Sequence, residues 1–126
     1  MESKKCFCDT GLLFENCCGL YLKNNQKAPT ALALMRSRYS AYATYNADYL
    51  LETTYVSERQ YYSEAEILKW ATSNKWQKLE ILSFTENTVE FKAYFLDANQ
   101  KPQTDYEFST FKFEDNTWYY LDGKFE

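Results

Sequence analysis

The pattern of apolar and polar positions divides the chain into a helical first half and a strand-rich second half. Residues 31–45 are rich in Ala and Leu and contain no helix breaker, so they predict a long helix opened by residues 28–30. A second, short helix is expected over 48–53. A third is expected over 63–73, because its first residue is a serine and Glu66 lies at the matching position of a capping box.

From residue 76 onward the period of the pattern changes to two, which predicts strands. In the clearest case, apolar side chains alternate with Glu, Lys and Tyr, so that one face of the strand is apolar. Strands are expected over 76–84, 88–96, 106–113 and 118–121. Helices followed by an antiparallel meander predict an α+β fold, in which three helices pack on one face of a curved antiparallel sheet.

The length and composition indicate one folded domain, with room for a second only if it is very small. A chain of 126 residues can bury one substantial core without disulfide staples. Apolar residues make up 45% and charged residues 25%, which excludes intrinsic disorder as the main description. Aromatic residues reach 19%, including 12 Tyr, and this excess indicates a core or cavity lined by rings that keep a polar tip.

The charge balance bears on the partners of the protein. With 14 basic and 18 acidic residues the net charge is −4, which argues against electrostatic binding to nucleic acid or to an anionic membrane. No apolar run approaches the roughly 18 residues of a membrane span, and the first residues do not lead into a signal-peptide core. We therefore expect a cytoplasmic protein.

The sequence contains no histidine. Ser–His and Cys–His nucleophile pairs are therefore excluded, and so is an imidazole general base. Any chemistry would depend on carboxylates, Tyr, Lys, Cys or a metal. This composition favours a non-enzymatic protein.

Four cysteines lie close together near the N-terminus: Cys6, Cys8, Cys17 and Cys18. An adjacent pair rarely forms its own disulfide because the geometry is strained, and disulfides between the two doublets do not suit a reducing compartment. Four thiolates within this short span can instead close a tetrahedral shell around a structural Zn²⁺. A redox or disulfide role is the alternative.

The spacing Cys6-x-Cys8-x8-Cys17-Cys18-Gly19 resembles the SEC-C motif, a small zinc knuckle. The resemblance implies that these four cysteines are the metal ligands. It also implies a module that docks to other proteins, including ribosome-associated factors.

The remaining chain resembles the YchJ-like family of bacterial proteins, and the likeness covers almost the whole sequence. It rests on residues 34–42 (LMRSRYSAY), 47–50 (ADYL), 107–111 (EFSTF) and 118–123 (WYYLDG). The resemblance implies a SEC-C-like knuckle over 1–24, followed by a cone-shaped nuclear transport factor 2-like domain over 28–126. It implies no particular activity. Because the second unit has a core of its own, we expect metal removal to disorder only the N-terminal segment.

Several polar residues are expected at an inward-facing cavity of the cone. Glu107 shares strand parity with Phe111 and Phe113, so it should point inward and pair with Arg36 or Arg38 of the long helix. Either arginine could instead snorkel, form an ion pair with Asp48 or Asp122, or bind an anionic or carbonyl ligand. The candidate cavity residues are Arg36, Arg38, Tyr39, Glu107, Trp118, Tyr120 and Asp122.

Two functions follow from these features. The first is a non-enzymatic docking or adaptor module stabilised by zinc, whose partners are proteins. The second is a small-molecule binder, or a hydrolase or isomerase with Glu107 or Asp122 as the base, that uses the cone cavity.

Overall fold

The long central helix, α2, is set by local signals at both ends. A computed structural model describes residues 5–125, and in it α2 spans Ala31–Ala43. The Thr30 hydroxyl accepts a hydrogen bond from the Ala33 amide at 3.0 Å, which caps the first turn. At the other end Tyr45 adopts φ 62°, and the Asn46 amide donates to the Ala41 carbonyl at 2.8 Å. This Schellman motif ends the helix two residues before the predicted end.

The two helices that follow α2 agree with the sequence pattern to within a residue or two. The Ser63 hydroxyl accepts from the Glu66 amide at 3.0 Å, so the predicted N-cap of the last helix is confirmed. Besides α2, the helices are α1 (Gly19–Leu22), α3 (Ala47–Glu52) and α4 (Glu64–Ser73), with 3-10 turns at Phe14–Asn16 and Val56–Tyr61. Among the described residues, no helix has the length and apolar content needed to cross a membrane.

The strands form one antiparallel sheet in the order β1-β2-β3-β4, as expected for a meander. The strands are β1 (Lys75–Phe84), β2 (Thr88–Leu96), β3 (Pro102–Glu114) and β4 (Thr117–Phe125). In β2 the apolar set alternates with half-buried polar residues, so the predicted inner face is confirmed. Strand β3 begins four residues earlier than predicted, because its polar start pairs with the end of β2, where Leu96 lies opposite Pro102.

An extra residue in β4 changes which side chains face the helices. Thr110 pairs with Asp122 and Phe111 pairs with Tyr120, so Leu121 is bulged out of the ladder. As a result, both Tyr120 and Gly123 lie on the inner face. Phe113 was expected in the core with Phe111, but it is 53% exposed and packs at the end of the sheet. Phe113 is the penultimate residue of β3 and lies opposite Trp118, next to the turn into β4.

Helix α2 lies across the inner face of the sheet and forms the centre of the core. The buried cluster joins Leu34, Met35 and Tyr39 of α2 to Leu79 and Phe91 of the sheet. Three of the cysteines belong to the same cluster. The N-terminal segment, residues 5–22, is therefore packed into the core of the main domain, residues 31–125.

Candidate metal centre

The N-terminal segment folds back on itself and brings the two cysteine doublets together. A single β-bridge joins Lys5 to Leu13, and the Cys6 amide donates to the Leu12 carbonyl at 2.7 Å. Gly11, at φ +84°, permits the reversal between them, because most side chains disfavour this conformation. The chain then returns through the 3-10 turn to the second doublet.

Gly19 allows α1 to approach this turn closely. A Cβ at Gly19 would lie 2.7 Å from the Phe14 carbonyl oxygen, which is too close for any other residue type without a shift. The Cys17 amide also donates to that oxygen, at 3.0 Å. Glycine after the second doublet is thus required by packing around the cysteines.

The four sulfur atoms form one compact cluster. The Sγ atoms of Cys6, Cys8, Cys17 and Cys18 all lie within 4.8 Å of one another, and the Cys8 and Cys17 sulfurs are 3.6 Å apart. All four are free thiols. In a tetrahedral zinc site with bonds of about 2.3 Å, the sulfurs are ~3.8 Å apart. The cluster therefore fits a four-thiolate metal site with only small adjustments.

Burial and charge also suit a bound cation. Cys6, Cys8 and Cys18 are buried, and Cys17 is partly buried. Hydrogen bonds from Cys18 and Cys8 hold the pKa of the Cys6 thiol far below its usual value, while hydrogen bonding to Cys6 raises the pKa of Cys18 far above its own. A divalent metal would allow all four to be thiolates.

Residues of the main domain hold the cluster in place. The Cys6 sulfur lies 3.5 Å from the Ser40 hydroxyl of α2, and Arg36 Nη1 donates to the Cys8 carbonyl at 2.7 Å. The Asp9 carboxylate accepts from the Leu79 amide of β1 at 2.9 Å. Asp9 and Ser40 were not identified from the sequence; the position of Asp9 directly after Cys8 was the only available signal.

The candidate cavity residues divide into three groups. Arg38, Glu107, Tyr120 and Asp122 line one cavity of about 290 Å³, and Tyr39 lines an adjoining cavity that also includes Glu107. Arg36 lies beside the cysteines instead. Trp118 lines a separate surface pocket with Pro29, Leu32 and Phe84.

The prediction that the two arginines of α2 form ion pairs is wrong. Within residues 5–125, neither Arg36 nor Arg38 forms an ion pair with Glu107, Asp48 or Asp122. Arg38 Nη1 donates instead to the Leu50 carbonyl at 2.9 Å and to the Thr53 hydroxyl at 2.6 Å, at the C-terminal end of α3. Free carbonyls at a helix C-terminus attract a cation, and Asp48 lies in the first turn, at the opposite end.

Glu107 points inward as expected, but its partners are hydroxyl groups. Ser109 and Tyr120 both donate to its Oε2, the latter at 3.2 Å. Burial raises the pKa of the Glu107 carboxyl group, while these two hydrogen bonds and the charge of Arg38 oppose the rise. A Cβ at Gly123 would overlap both the carboxylate and the Tyr120 hydroxyl, so the glycine makes room for this arrangement.

Sequence comparison identifies relatives along nearly the whole chain. The family model for the YchJ middle NTF2-like domain matches residues 30–123. A UPF0225 protein of Photorhabdus laumondii is 38% identical over 125 residues, covering 94% of this chain and 79% of the relative. A UPF0225 protein of Geobacter sulfurreducens is 37% identical over 125 residues, covering 94% of this chain and 77% of the relative.

Two solved structures share the fold. The solution structure of a SEC-C motif containing protein from Rhodopseudomonas palustris has a TM-score of 0.86 at 33% identity and covers 94% of this chain and 96% of that one. The crystal structure of a SEC-C motif containing protein from Psychrobacter arcticus has a TM-score of 0.73 at 35% identity, covering 90% and 73%. The chain therefore belongs to the YchJ-like family, with an α+β nuclear transport factor 2-like domain behind a cluster of four cysteines.

Proposed function

We propose that Cys6, Cys8, Cys17 and Cys18 bind one Zn²⁺ as a structural, four-thiolate site. The compact arrangement of the four sulfurs, all as free thiols, is the observation that carries this proposal. Zinc with four protein ligands has no open position for substrate or water, so its role is to hold the N-terminal segment against α2 and β1. Two solved relatives are named as SEC-C motif containing proteins, which supports the same assignment.

Metal analysis of the purified protein tests the site. We expect about one equivalent of zinc per chain, and Co²⁺ in its place should give the thiolate-to-metal absorption of a tetrahedral four-sulfur site. Cys17→Ser should lose most of the metal, because it removes one ligand. Thr10→Ala is the matched control: its hydroxyl lies 3.3 Å from the Cys17 sulfur but is not a ligand, so the metal content should stay unchanged. A metal-free protein with two disulfides after reducing expression would refute the assignment.

The zinc-stabilised segment serves as a docking surface for another protein. Two apolar side chains, Phe7 (39% exposed) and Leu12 (53% exposed), point outward from the loop that carries the first cysteine doublet. Phe7 packs edge-on against Phe14, which fixes its orientation. Exposed apolar side chains on a rigid loop are typical of protein contact sites. In this role the protein is a non-enzymatic adaptor.

Affinity capture with matched variants tests this docking role. Leu12→Asp should lose the proteins that the wild type retains, and so should Cys17→Ser, because the loop is then no longer held. Val56→Asp is the control, since Val56 is 63% exposed but lies outside the N-terminal segment. Retention of the same proteins by Leu12→Asp and by the wild type would show that this surface is not the docking site.

A further inference from the structure

The inner face of the main domain contains a cavity with both polar and apolar walls. It has a volume of about 290 Å³ and lies between α2, the start of α4 and the inner face of β2, β3 and β4. A second cavity of about 290 Å³ adjoins it and shares four lining residues: Met35, Tyr42, Phe91 and Glu107. Together they approach the size of small-ligand sites in proteins.

Arg38 offers an unused hydrogen-bonding edge to this cavity. Arg38 is only 7% exposed, and within residues 5–125 it donates only through Nη1, which contacts Leu50, Thr53 and Thr54. No described residue accepts a hydrogen bond from Nε or Nη2 of Arg38. Among the described residues, every fully buried side-chain nitrogen has a hydrogen-bond partner, so these two nitrogens are not fully buried. Nε and Nη2 therefore retain some contact with solvent, and Arg38 is one of the residues that line the cavity.

Among the carboxylates that the structure describes, none forms an ion pair with Arg38. Its guanidinium carbon lies 4.4 Å from the centre of the Tyr120 ring, which favours a cation without neutralising it. The Nε–Nη2 edge of a guanidinium matches the two oxygens of a carboxylate, and such bidentate pairs are strong when shielded from water. The edge thus fits a carboxylate from outside the chain.

The remaining walls favour an apolar body attached to that carboxylate. Met35, Tyr42, Ile67 and Phe91 surround the cavity, and the adjoining one adds Trp70 and Trp76. Tyr62 and Trp70 are both partly open to solvent, and each lines one of the two cavities. Exposed rings at a cavity edge are suited to contact a flat apolar group.

We propose that this cavity binds a small monocarboxylic acid with an aromatic or branched apolar body. The carboxylate lies on the Nε–Nη2 edge of Arg38, and the apolar part lies among Tyr42, Phe91 and the neighbouring rings. Glu107 and Asp122 also line the cavity, so a second carboxylate on the ligand would be repelled. This site is independent of the cysteine cluster.

Titration of the ¹⁵N-labelled wild-type protein with benzoate, followed by NMR, tests the proposal. We expect shifts at Gly123 and Tyr120, and benzoate should bind about tenfold or more tightly than benzamide, which lacks the charge. Phthalate, with a second carboxylate, should bind more weakly than benzoate. If benzoate produces no shifts at millimolar concentration, or if benzamide binds equally well, the proposal is wrong.

Benzoate binding by variant proteins tests which side chain holds the carboxylate. Arg38→Met should abolish benzoate binding, whereas Lys69→Met removes an exposed positive charge on α4 and should leave it unchanged. Arg38→Met removes buried hydrogen bonds and could unfold the protein, so Asp122→Asn is the second variant. Asp122 is an exposed residue that lines the cavity, and loss of its negative charge should tighten benzoate binding several-fold. Unchanged affinity in Asp122→Asn, or benzoate binding by folded Arg38→Met, would contradict the proposed placement.

Discussion

At Glu107, burial and hydrogen bonding act on the carboxyl group in opposite directions. Burial disfavours the charged form and dominates, so the pKa lies above its ordinary value of 4.5 even though Ser109 and Tyr120 donate to the carboxylate. The folded protein therefore retains a proton at pH values where the unfolded chain has released it. The stabilisation by this group is complete below about pH 4.5 and is lost as the pH rises through the folded-state pKa.

Replacing Glu107 by Gln should remove this pH dependence. The glutamine resembles the protonated acid, and its oxygen can still accept from Ser109 and Tyr120. Relative to wild type, Glu107→Gln should therefore gain in free energy of unfolding as the pH rises from about 4.5 to neutrality. Urea unfolding of both proteins across this range measures the difference.

The exposed Glu52→Gln is the control for the change in net charge. Its stability relative to wild type should vary little over the same pH range. A difference between Glu107→Gln and wild type that is constant with pH would show that the pKa of the carboxyl group is the same in the folded and unfolded states.

At the scale of the elements, short-range capping contacts decide where the helices start and end. Thr30 and Ser63 each cap a helix through one hydroxyl, and Tyr45 ends α2 in a left-handed conformation. Such contacts involve residues that are close in sequence. Thr30 and Ser63 are residue types that commonly cap helices, so the helix starts are predictable from the sequence. A tyrosine is not a typical left-handed residue, so the sequence pattern predicts an end of α2 that is two residues too late.

Loss of the α2 cap should destabilise the whole protein. Thr30→Ala leaves the Ala33 amide without its partner, and the free energy of unfolding should fall by about 1 kcal/mol. Thr30→Ser keeps the hydroxyl and should lie within ~0.5 kcal/mol of wild type. Chemical denaturation measures both values. Equal losses in the two variants would show that the threonine methyl group, rather than the cap, is responsible.

At the scale of the whole molecule, the N-terminal segment and the main domain share one core. Cys6, Cys8 and Cys18 belong to the buried cluster that contains Met35, Tyr39 and Leu79. The sequence alone indicated a knuckle linked to an independent domain. Because the two pack together, loss of the metal should affect both, although unequally.

Chelation of the metal should expose residues 5–22 while the central strands stay folded. Hydrogen exchange should show lost amide protection in that segment and in the adjoining face of α2, with protection retained in β2 and β3. Loss of the apolar contacts made by the cysteines should lower the free energy of unfolding by ~2–3 kcal/mol. A loss of this size lowers Tm by on the order of 10 °C.

Cys17→Ser without chelator should reproduce this exchange pattern, and chelator should have no further effect on it. Loss of protection throughout the sheet would mean that the main domain cannot fold without the metal. An unchanged pattern would mean that the metal is not needed to hold the segment.

The sequence by itself determined the cysteine cluster, the α+β plan and most element boundaries. Each depends on residues close in the chain: the spacing of the two doublets, the caps at Thr30 and Ser63, and the alternation along 88–96. Spacing and periodicity reflect local geometry, which is the same wherever the element is packed. The strand parity of Glu107 also belongs here, because β3 itself has no extra residue between Glu107 and Phe111.

Only the tertiary structure decided how the polar side chains are paired. The two arginines of α2 lie two residues apart, but one reaches the Cys8 carbonyl and the other the end of α3. The bulge at Leu121 places Gly123 against Glu107, and the end of the sheet leaves Phe113 exposed. Such outcomes depend on which elements meet and in which register, and long-range contacts of this kind leave no periodic signal in the sequence.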